Sequence, residues 1–397
     1  MSEFPIIRWT EAGPARSARW RSEKGIAPHK RVVVADEQMT ADAAYRLACE
    51  GTALLWRGDF QNARQMLLAM ARRSDEKTRK ARKTAATPLK TAEKSTTEAF
   101  HQHRLAQSQR ARTLGMLLLP LTCDYNVPLR RAPDLQLACA EAYGPPGGDA
   151  VGEDSLVSMR ELLGLIGARE WRKKGVEVPA LQGRVHPHYG VFAPVRGEYV
   201  GLVADAPLPL LSNASGEALP LAFDIGTGTG VLAAVLARRG IARIIATDMD
   251  SRALVCASEN IRRLNCAAQV QVVQVDLFPE GRAPLIVCNP PWIPARPSSP
   301  IERAIFDPDS RMLRAFIAGL AAHLEPGGEG WLILSDIAEH LGLRSRAQLL
   351  AYFVEAGLVV IDRLDARPNH PRVFDRADPL HSARSAEVTS LWRLGVR

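Results

Sequence analysis

Two rhythms of apolar and polar positions run along this chain of 397 residues, and they change over near residue 219. Before that point the spacing is helical. Residues 40–54 set Ala43, Ala44, Leu47 and Ala48 on one face, with Thr40 placed as N-cap. Residues 59–73 repeat the pattern with Ala63, Met66, Leu67 and Met70. Residues 74–97 are rich in Lys, Arg, Thr and Ala, contain Pro88 and lack an apolar stripe, so they read as a flexible, solvent-facing connection. Helical spacing resumes near Thr97 and ends in the apolar run 114–119, stopped by Pro120. Pro145-Pro146-Gly147-Gly148 then breaks the chain.

From residue 219 onward, strand-like runs alternate with helical ones. Residues 221–225 form a short apolar strand leading into a glycine turn, and 231–239 a helix closed by Arg238, Arg239 and Gly240. A strand at 244–247 follows. Ser251 is then placed to cap a helix striped by Leu254, Ala257, Ile261 and Leu264 and stopped at Asn265. Residues 270–275 and 285–288 read as strands. A helix over 311–324 ends in Pro326-Gly327-Gly328, before strands at 331–334, 358–361 and 388–392. Such alternation implies βαβ units with right-handed crossovers. The expected fold class is α/β, with a doubly wound, mainly parallel Rossmann-like sheet over 185–397. A mostly helical N-terminal domain over 1–180 precedes it.

Charge sharpens this division. Residues 1–200 hold 31 Lys+Arg against 22 Asp+Glu, residues 201–397 hold 20 against 21, and all nine lysines precede residue 175. Within the first half, 64–112 holds 13 basic against 4 acidic residues, which suits a polyanionic partner and equally a solvated helical face. The first domain is accordingly expected to recognise substrate. Six cysteines without CxxC spacing point to reduced thiols. His101 with His103, and His186 with His188, lack a companion acid or cysteine cluster, so no metal is expected. The opening residues form no signal peptide and no apolar run is long enough for a span, so the chain reads as soluble and cytoplasmic, with no membrane partner.

The chemistry is concentrated in two motifs. The first is Asp224-Ile225-Gly226-Thr227-Gly228-Thr229-Gly230, where a strand feeds a helix and the backbone must turn tightly beneath a ligand. Gly226, Thr227, Gly228 and Gly230 form a candidate cofactor cradle, and the following helix offers free N–H groups to a carboxylate. Asp248, after the second strand, is placed to accept from ribose hydroxyls. Asp276 is placed for an exocyclic adenine amine, with Leu277 and Phe278 as apolar contacts. The spacing is GxGxG, not GxGxxG, and an acid two residues before the first glycine suits an ammonium better than a pyrophosphate. That disfavours a dinucleotide.

The second motif, Asn289-Pro290-Pro291-Trp292, follows about 60 residues later, after the fourth strand. Amide and exocyclic amine nitrogens are poor nucleophiles because their lone pair is delocalised. The Asn289 side-chain oxygen and the Pro290 carbonyl can accept the two protons of such an NH2 group as charge develops on it. Two prolines fix φ and remove competing donors. Trp292 offers a ring on which to stack a planar acceptor.

On these residues the segment from about 185 to 397 resembles a class I S-adenosylmethionine-dependent methyltransferase of the small-domain group. That group includes the protein-glutamine methyltransferases and the Asn-Pro-Pro-aromatic RNA and DNA amino-methyltransferases. Leu324-Glu325-Pro326-Gly327-Gly328 before a strand is also typical of the class. The segment from His188 to Pro194, with Arg196 and Glu198, is similar to the one that closes over the cofactor in glutamine methyltransferases. The resemblance implies S-adenosyl-L-methionine as cofactor, held by Asp224, Gly226, Gly228, Asp248 and Asp276, and an acceptor oriented by Asn289 and Trp292. Two departures bear on substrate: the corner ends in Trp where the glutamine enzymes usually carry Tyr, and the N-terminal extension is far longer than theirs. Three readings follow: a glutamine in a translation-related protein, an exocyclic amine in RNA or DNA, and a non-catalytic nucleic-acid-binding protein on the same fold. A small-molecule N-methyltransferase is a further variant. A ribosomal protein assembled on RNA would reconcile the basic stretch with the glutamine-type segment.

Overall fold

The computed structural model describes residues 4–85, 95–146, 153–209, 219–298, 300–369 and 373–397. The chain divides into two units, one of Met1–Lys94 with His101–Glu170 and one of Ser95–Phe100 with Trp171–Arg397.

The first unit is built on a six-stranded mixed sheet, which corrects the expectation of a mostly helical domain. Its strands are β1 (Ile6–Thr10), β2 (Ala15–Arg21), β3 (Arg31–Ala35), β4 (Thr52–Trp56), β5 (Leu117–Leu121) and β6 (Ser155–Ser158), in the order β1-β2-β6-β5-β4-β3. Helices α1 (Ala41–Cys49), α2 (Phe60–Ala85), α3 (Thr96–Leu114), α4 (Gln136–Tyr143) and α5 (Met159–Lys174) connect them, the division between units falling within α3 and α5. Thr40 caps α1 as expected, its hydroxyl accepting from the Ala43 amide at 3.3 Å. The expected helix over 40–54 is nonetheless too long. Gly51, at φ +82°, ends it, and the next five residues form β4. All five residues of β4, and all five of β5, are buried, so neither shows the alternation that marks a half-exposed strand. Residues 74–85 continue α2 where a flexible connection was expected. The readings placed on Pro88 and on Gly147-Gly148 lie outside the described residues.

The second unit matches the alternating pattern. A short hairpin of β7 (Val176–Val178) and β8 (Gly183–Val185) and helix α6 (Glu198–Asp205) precede a seven-stranded sheet. Its strands are β9 (Ala222–Ile225), β10 (Ile244–Asp248), β11 (Val270–Gln274), β12 (Ala283–Cys288), β13 (Leu324–Ser335), β14 (Leu358–Ala366) and β15 (Thr389–Val396), ordered β11-β10-β9-β12-β13-β15-β14. The first five run parallel and β15 is antiparallel to both its neighbours. Helices α7 (Val231–Arg238), α8 (Ser251–Arg263), α9 (Arg311–His323), α10 (Ile337–His340), α11 (Arg346–Glu355) and α12 (His381–Ala386) complete the unit. Asp250, not Ser251, caps α8, its carboxylate accepting from the Arg252 amide at 2.9 Å.

Both faces of the sheet are covered. Ala222 packs with α7, whose residues 231–237 are all buried, while Phe223 and Ile225 pack with Leu313, Phe316 and Ile317 of α9. A helix that is apolar all round belongs in such a layer. The strand order reverses between β9 and β12, the switch point at which α/β sheets bind ligands. Register makes this concrete. Ile225 lies level with Thr247 and with Cys288, so the next residues, Gly226, Asp248 and Asn289, stand together at the carboxyl ends of three adjacent strands. Among the described residues no helix is long and apolar enough to cross a membrane.

Candidate active site

The glycine turn is braced from beneath by Asp224. Alternation along β9 aims this side chain at the face covered by α7, where it is 1% exposed. Its Oδ2 accepts from the Thr227 hydroxyl at 2.6 Å and from the Ala233 amide at 3.0 Å. Burial raises the carboxyl from 3.8 to about 6, with those two hydrogen bonds pulling the other way. The turn is also tied to β10, because the Thr227 amide donates to the Thr247 carbonyl at 2.8 Å.

The three glycines serve two purposes. All have positive φ, at +70°, +56° and +79° for Gly226, Gly228 and Gly230. A Cβ on Gly226 would sit 2.7 Å from the Met312 methyl, whereas on Gly228 its nearest neighbour would be the Gly226 carbonyl at 4.0 Å. A Cβ on Gly230 would press at 3.3 Å on Ala257 and Ile261 of α8. Gly230 thus lets two helices meet, while the other two keep the turn open.

Asp248 Oδ2 accepts from the Gly228 amide at 3.0 Å and Oδ1 from the Asp250 amide at 2.9 Å. Burial raises its pKa, opposed by these amides. Leu277 is held at φ +63°, unusual for a leucine, and its carbonyl accepts from the Thr247 hydroxyl at 2.7 Å. Gly226, Asp248, Asp276, Leu277 and Pro291 line one cleft of about 1210 Å³, together with Met312 and the loop 306–309. Asp224, Thr227, Gly228, Gly230, Asn289, Pro290 and Trp292 are not among its lining residues. Phe278 is engaged elsewhere, stacked 4.3 Å from His323 and 5.6 Å from Phe316.

At the second motif the Trp292 indole N–H donates to Asn289 Oδ1 at 2.9 Å. One face of the indole lies under the Arg196 guanidinium, 5.4 Å from the ring centroid. That face is taken, which reduces the stacking surface expected of Trp292. Cys288, directly before the motif, is fully buried with its thiol pushed well above its ordinary range, which fits packing and not nucleophilic chemistry. His186 bonds the Arg172 carbonyl at 2.6 Å and His188 the Glu259 carboxylate at 3.0 Å.

Sequence reading missed Asp307 and Glu387. Asp307 is buried and accepts from the amides of Met312 and Leu313 at 3.1 and 3.2 Å, closing the N-terminus of α9 beside the cleft. Its place just ahead of an apolar helical stripe was the available signal. Glu387 pairs with Arg196, 191 residues away, and no local pattern announces it.

Residues 209–356 match the family described as methyltransferase small domain. The chain is similar to a ribosomal protein L11 methyltransferase of Pelotomaculum thermopropionicum, 38% identical over 36% of this chain and 39% of that protein. It is also similar to a release factor glutamine methyltransferase of Cereibacter sphaeroides, 34% identical over 40% of this chain and 60% of that protein. A third relative is a tRNA1(Val) (adenine(37)-N6)-methyltransferase of Parabacteroides distasonis, 42% identical over 20% of this chain and 35% of that one. The chain thus spans less than two thirds of the length of each of these three relatives. The match to the methyltransferase small domain family thus takes in strands β9 to β13, the glycine turn and the Asn289 corner.

Proposed function

We propose that this protein is an S-adenosylmethionine-dependent N-methyltransferase acting on a planar NH2 nitrogen, in first place a glutamine side chain of a translation-related protein. The observation that carries the reading is the common level of Gly226, Asp248 and Asn289 at the carboxyl ends of three adjacent parallel strands, beside one cleft. The cleft's volume of about 1210 Å³ exceeds the roughly 300–1,000 Å³ of a single-ligand pocket, leaving room for a cofactor and an acceptor side chain.

The residues present fit the cofactor. Asp248 keeps lone pairs for ribose hydroxyls after holding two amides, and Asp276 and Leu277 stand at the cleft wall for the adenine. Gly226 and Gly228 let the backbone approach the ligand closely. Asp224, anionic above about pH 6, favours a nearby ammonium. When bound, the cofactor supplies a sulfonium methyl already activated for transfer, so no metal is required. Asn289 Oδ1 and the Pro290 carbonyl accept the two acceptor protons and let the nitrogen pyramidalise as it takes up charge. The excess proton then leaves from the methylated nitrogen to solvent.

The same geometry serves an exocyclic amine of RNA, and the surplus of 13 basic over 4 acidic residues in 64–112 favours that second reading. Transfer of labelled methyl from S-adenosylmethionine into a fractionated lysate tests both, with Asn289→Ala as control. Label in protein that disappears in the variant supports glutamine, and label in RNA supports the base amine. An absence of label in both fractions counts against a macromolecular acceptor.

A further inference from the structure

Four residues scattered along the chain, Arg196, Glu198, Ser335 and Glu387, converge on the Asn289 corner. Ser335, at the end of β13, donates to Glu387 Oε1 at 2.6 Å and accepts from the Ile337 amide at 3.0 Å. Glu387 receives both terminal nitrogens of Arg196, Nη1 to Oε1 at 3.1 Å and Nη2 to Oε2 at 3.0 Å. Glu198 Oε1 stands 3.1 Å from Arg196 Nε as an ion pair. The guanidinium so held lies over the Trp292 ring, and Trp292 in turn bonds Asn289.

Each link has a directional consequence. A two-point Arg–carboxylate pair fixes the guanidinium plane as well as its position, and the Glu387 side chain is 3% exposed, so solvent weakens it little. A cation over an indole face holds the ring in turn. The indole N–H only donates, so the atom of Asn289 facing it must be the oxygen, and the two near-isosteric settings of the carboxamide are no longer equivalent. Were Asn289 released, it could turn its own NH2 toward the acceptor, presenting donors to a group that needs acceptors.

We infer that Arg196 and Glu387 are positioning residues for methyl transfer, clamping Trp292 so that its indole N–H sets the Asn289 carboxamide to receive an acceptor that donates two N–H bonds. The clamp therefore selects primary amides and exocyclic amines. This inference rests on the methyl-transfer reading above and adds to it residues that act through Trp292 without touching the acceptor.

The test uses full-length 15N-labelled protein, with the Trp292 indole resonance assigned by Trp292→Phe. Arg196→Lys keeps the charge but not the two-point geometry, and Glu387→Gln keeps one acceptor oxygen. Turnover is read as labelled methyl entering whichever lysate fraction the wild type labels. Each variant should lower kcat on the order of 10²-fold, the cost of a small misplacement at the reacting atoms. Its affinity for S-adenosylmethionine and its KM for that fraction should stay at the wild-type values. The double variant should lose no more than the worse single one, because the pair acts as a unit. The indole resonance should shift, and its proton should exchange faster, in both variants. An unmoved resonance with unchanged kcat overturns the inference. So does a parallel fall of kcat, cofactor affinity and thermal stability, which assigns the pair a purely structural role. A wild type that binds no S-adenosylmethionine instead removes the methyl-transfer reading, while the resonance still reports whether Arg196 governs the Trp292–Asn289 bond.

Discussion

Asp248 Oδ2 accepts from the Gly228 amide at 3.0 Å, so the carboxylate at the end of β10 holds the glycine turn after β9 in place. The same carboxylate lines the cleft. Asp248→Ala should therefore remove both the brace and an acceptor for the cofactor. A hydrogen bond to a charged group contributes about 1.5–3 kcal/mol, so affinity for S-adenosylmethionine should fall about 10- to 100-fold, with Asp248→Asn in between. Calorimetric titration reads this directly, and unchanged affinity in Asp248→Ala would remove Asp248 from the cofactor site.

Gly228 and Gly230 should separate binding from stability. Both have positive φ, which costs an alanine about 1–2 kcal/mol. Only at Gly230 does the new Cβ also press on Ala257 and Ile261 at 3.3 Å. Gly230→Ala should lower Tm more than Gly228→Ala, and Gly228→Ala should lower cofactor affinity by more than its effect on Tm accounts for. Equal effects of the two substitutions on both readouts would contradict these roles.

Asp224 ties stability to pH. Its carboxyl is raised from 3.8 to about 6 by burial, so the folded protein binds more protons than the unfolded chain between those values. The contribution of this group is fully present below pH 3.8 and is lost as pH rises through about 6. Each tenfold change in proton affinity corresponds to about 1.4 kcal/mol, so the loss amounts to about 3 kcal/mol. Asp224→Asn should remove that slope, making the variant more stable than wild type at pH 7.5 in the absence of cofactor, and should weaken cofactor binding there. Denaturant unfolding from pH 4 to 8 compares the two, and parallel profiles would show that the carboxyl titrates normally.

Arg344 is a buried cation with no hydrogen-bonded partner among the described residues. It is 4% exposed, and none of its three side-chain nitrogens has a hydrogen-bond partner among the described residues. Burial lowers its pKa, with the carboxylates of Glu339 and Asp307 opposing that. Replacing even a buried ion pair by apolar side chains of similar volume is often neutral or stabilising by about 1–4 kcal/mol, and a buried cation without a hydrogen-bonded partner has less to lose. Arg344→Met should accordingly raise stability by about 1–3 kcal/mol in urea unfolding. A lower stability would mean that the guanidinium is compensated in solution.

Much of the second unit is legible in the sequence because each strand is punctuated. Gly226 follows β9, Asn265 at φ +58° separates α8 from β11, and Pro326-Gly327-Gly328 lie within the start of β13. The first unit lacks such punctuation. In β4 and β5 every residue is buried, so short runs without alternation merge into neighbouring helical patterns, and Pro120 inside β5 reads as a stop although it lies in a strand. The same contrast holds in the site. The glycine turn and the Asn289 corner are local motifs, and Asp248 follows from its place after a strand. Arg196 is legible in the segment that follows His188–Pro194, but its pairing with Glu387, 191 residues away, escapes local reading.

The most direct measurement is single-turnover methyl transfer by wild type and Asn289→Ala, at saturating S-adenosylmethionine, into the labelled lysate fraction. We expect both proteins to bind the cofactor with comparable affinity and only the wild type to transfer the methyl group, leaving one methyl on a planar nitrogen of the acceptor. Transfer by Asn289→Ala at the wild-type rate, or a methyl found on an oxygen, sulfur or carbon atom, would contradict the assignment of the Asn289 corner to an NH2 acceptor.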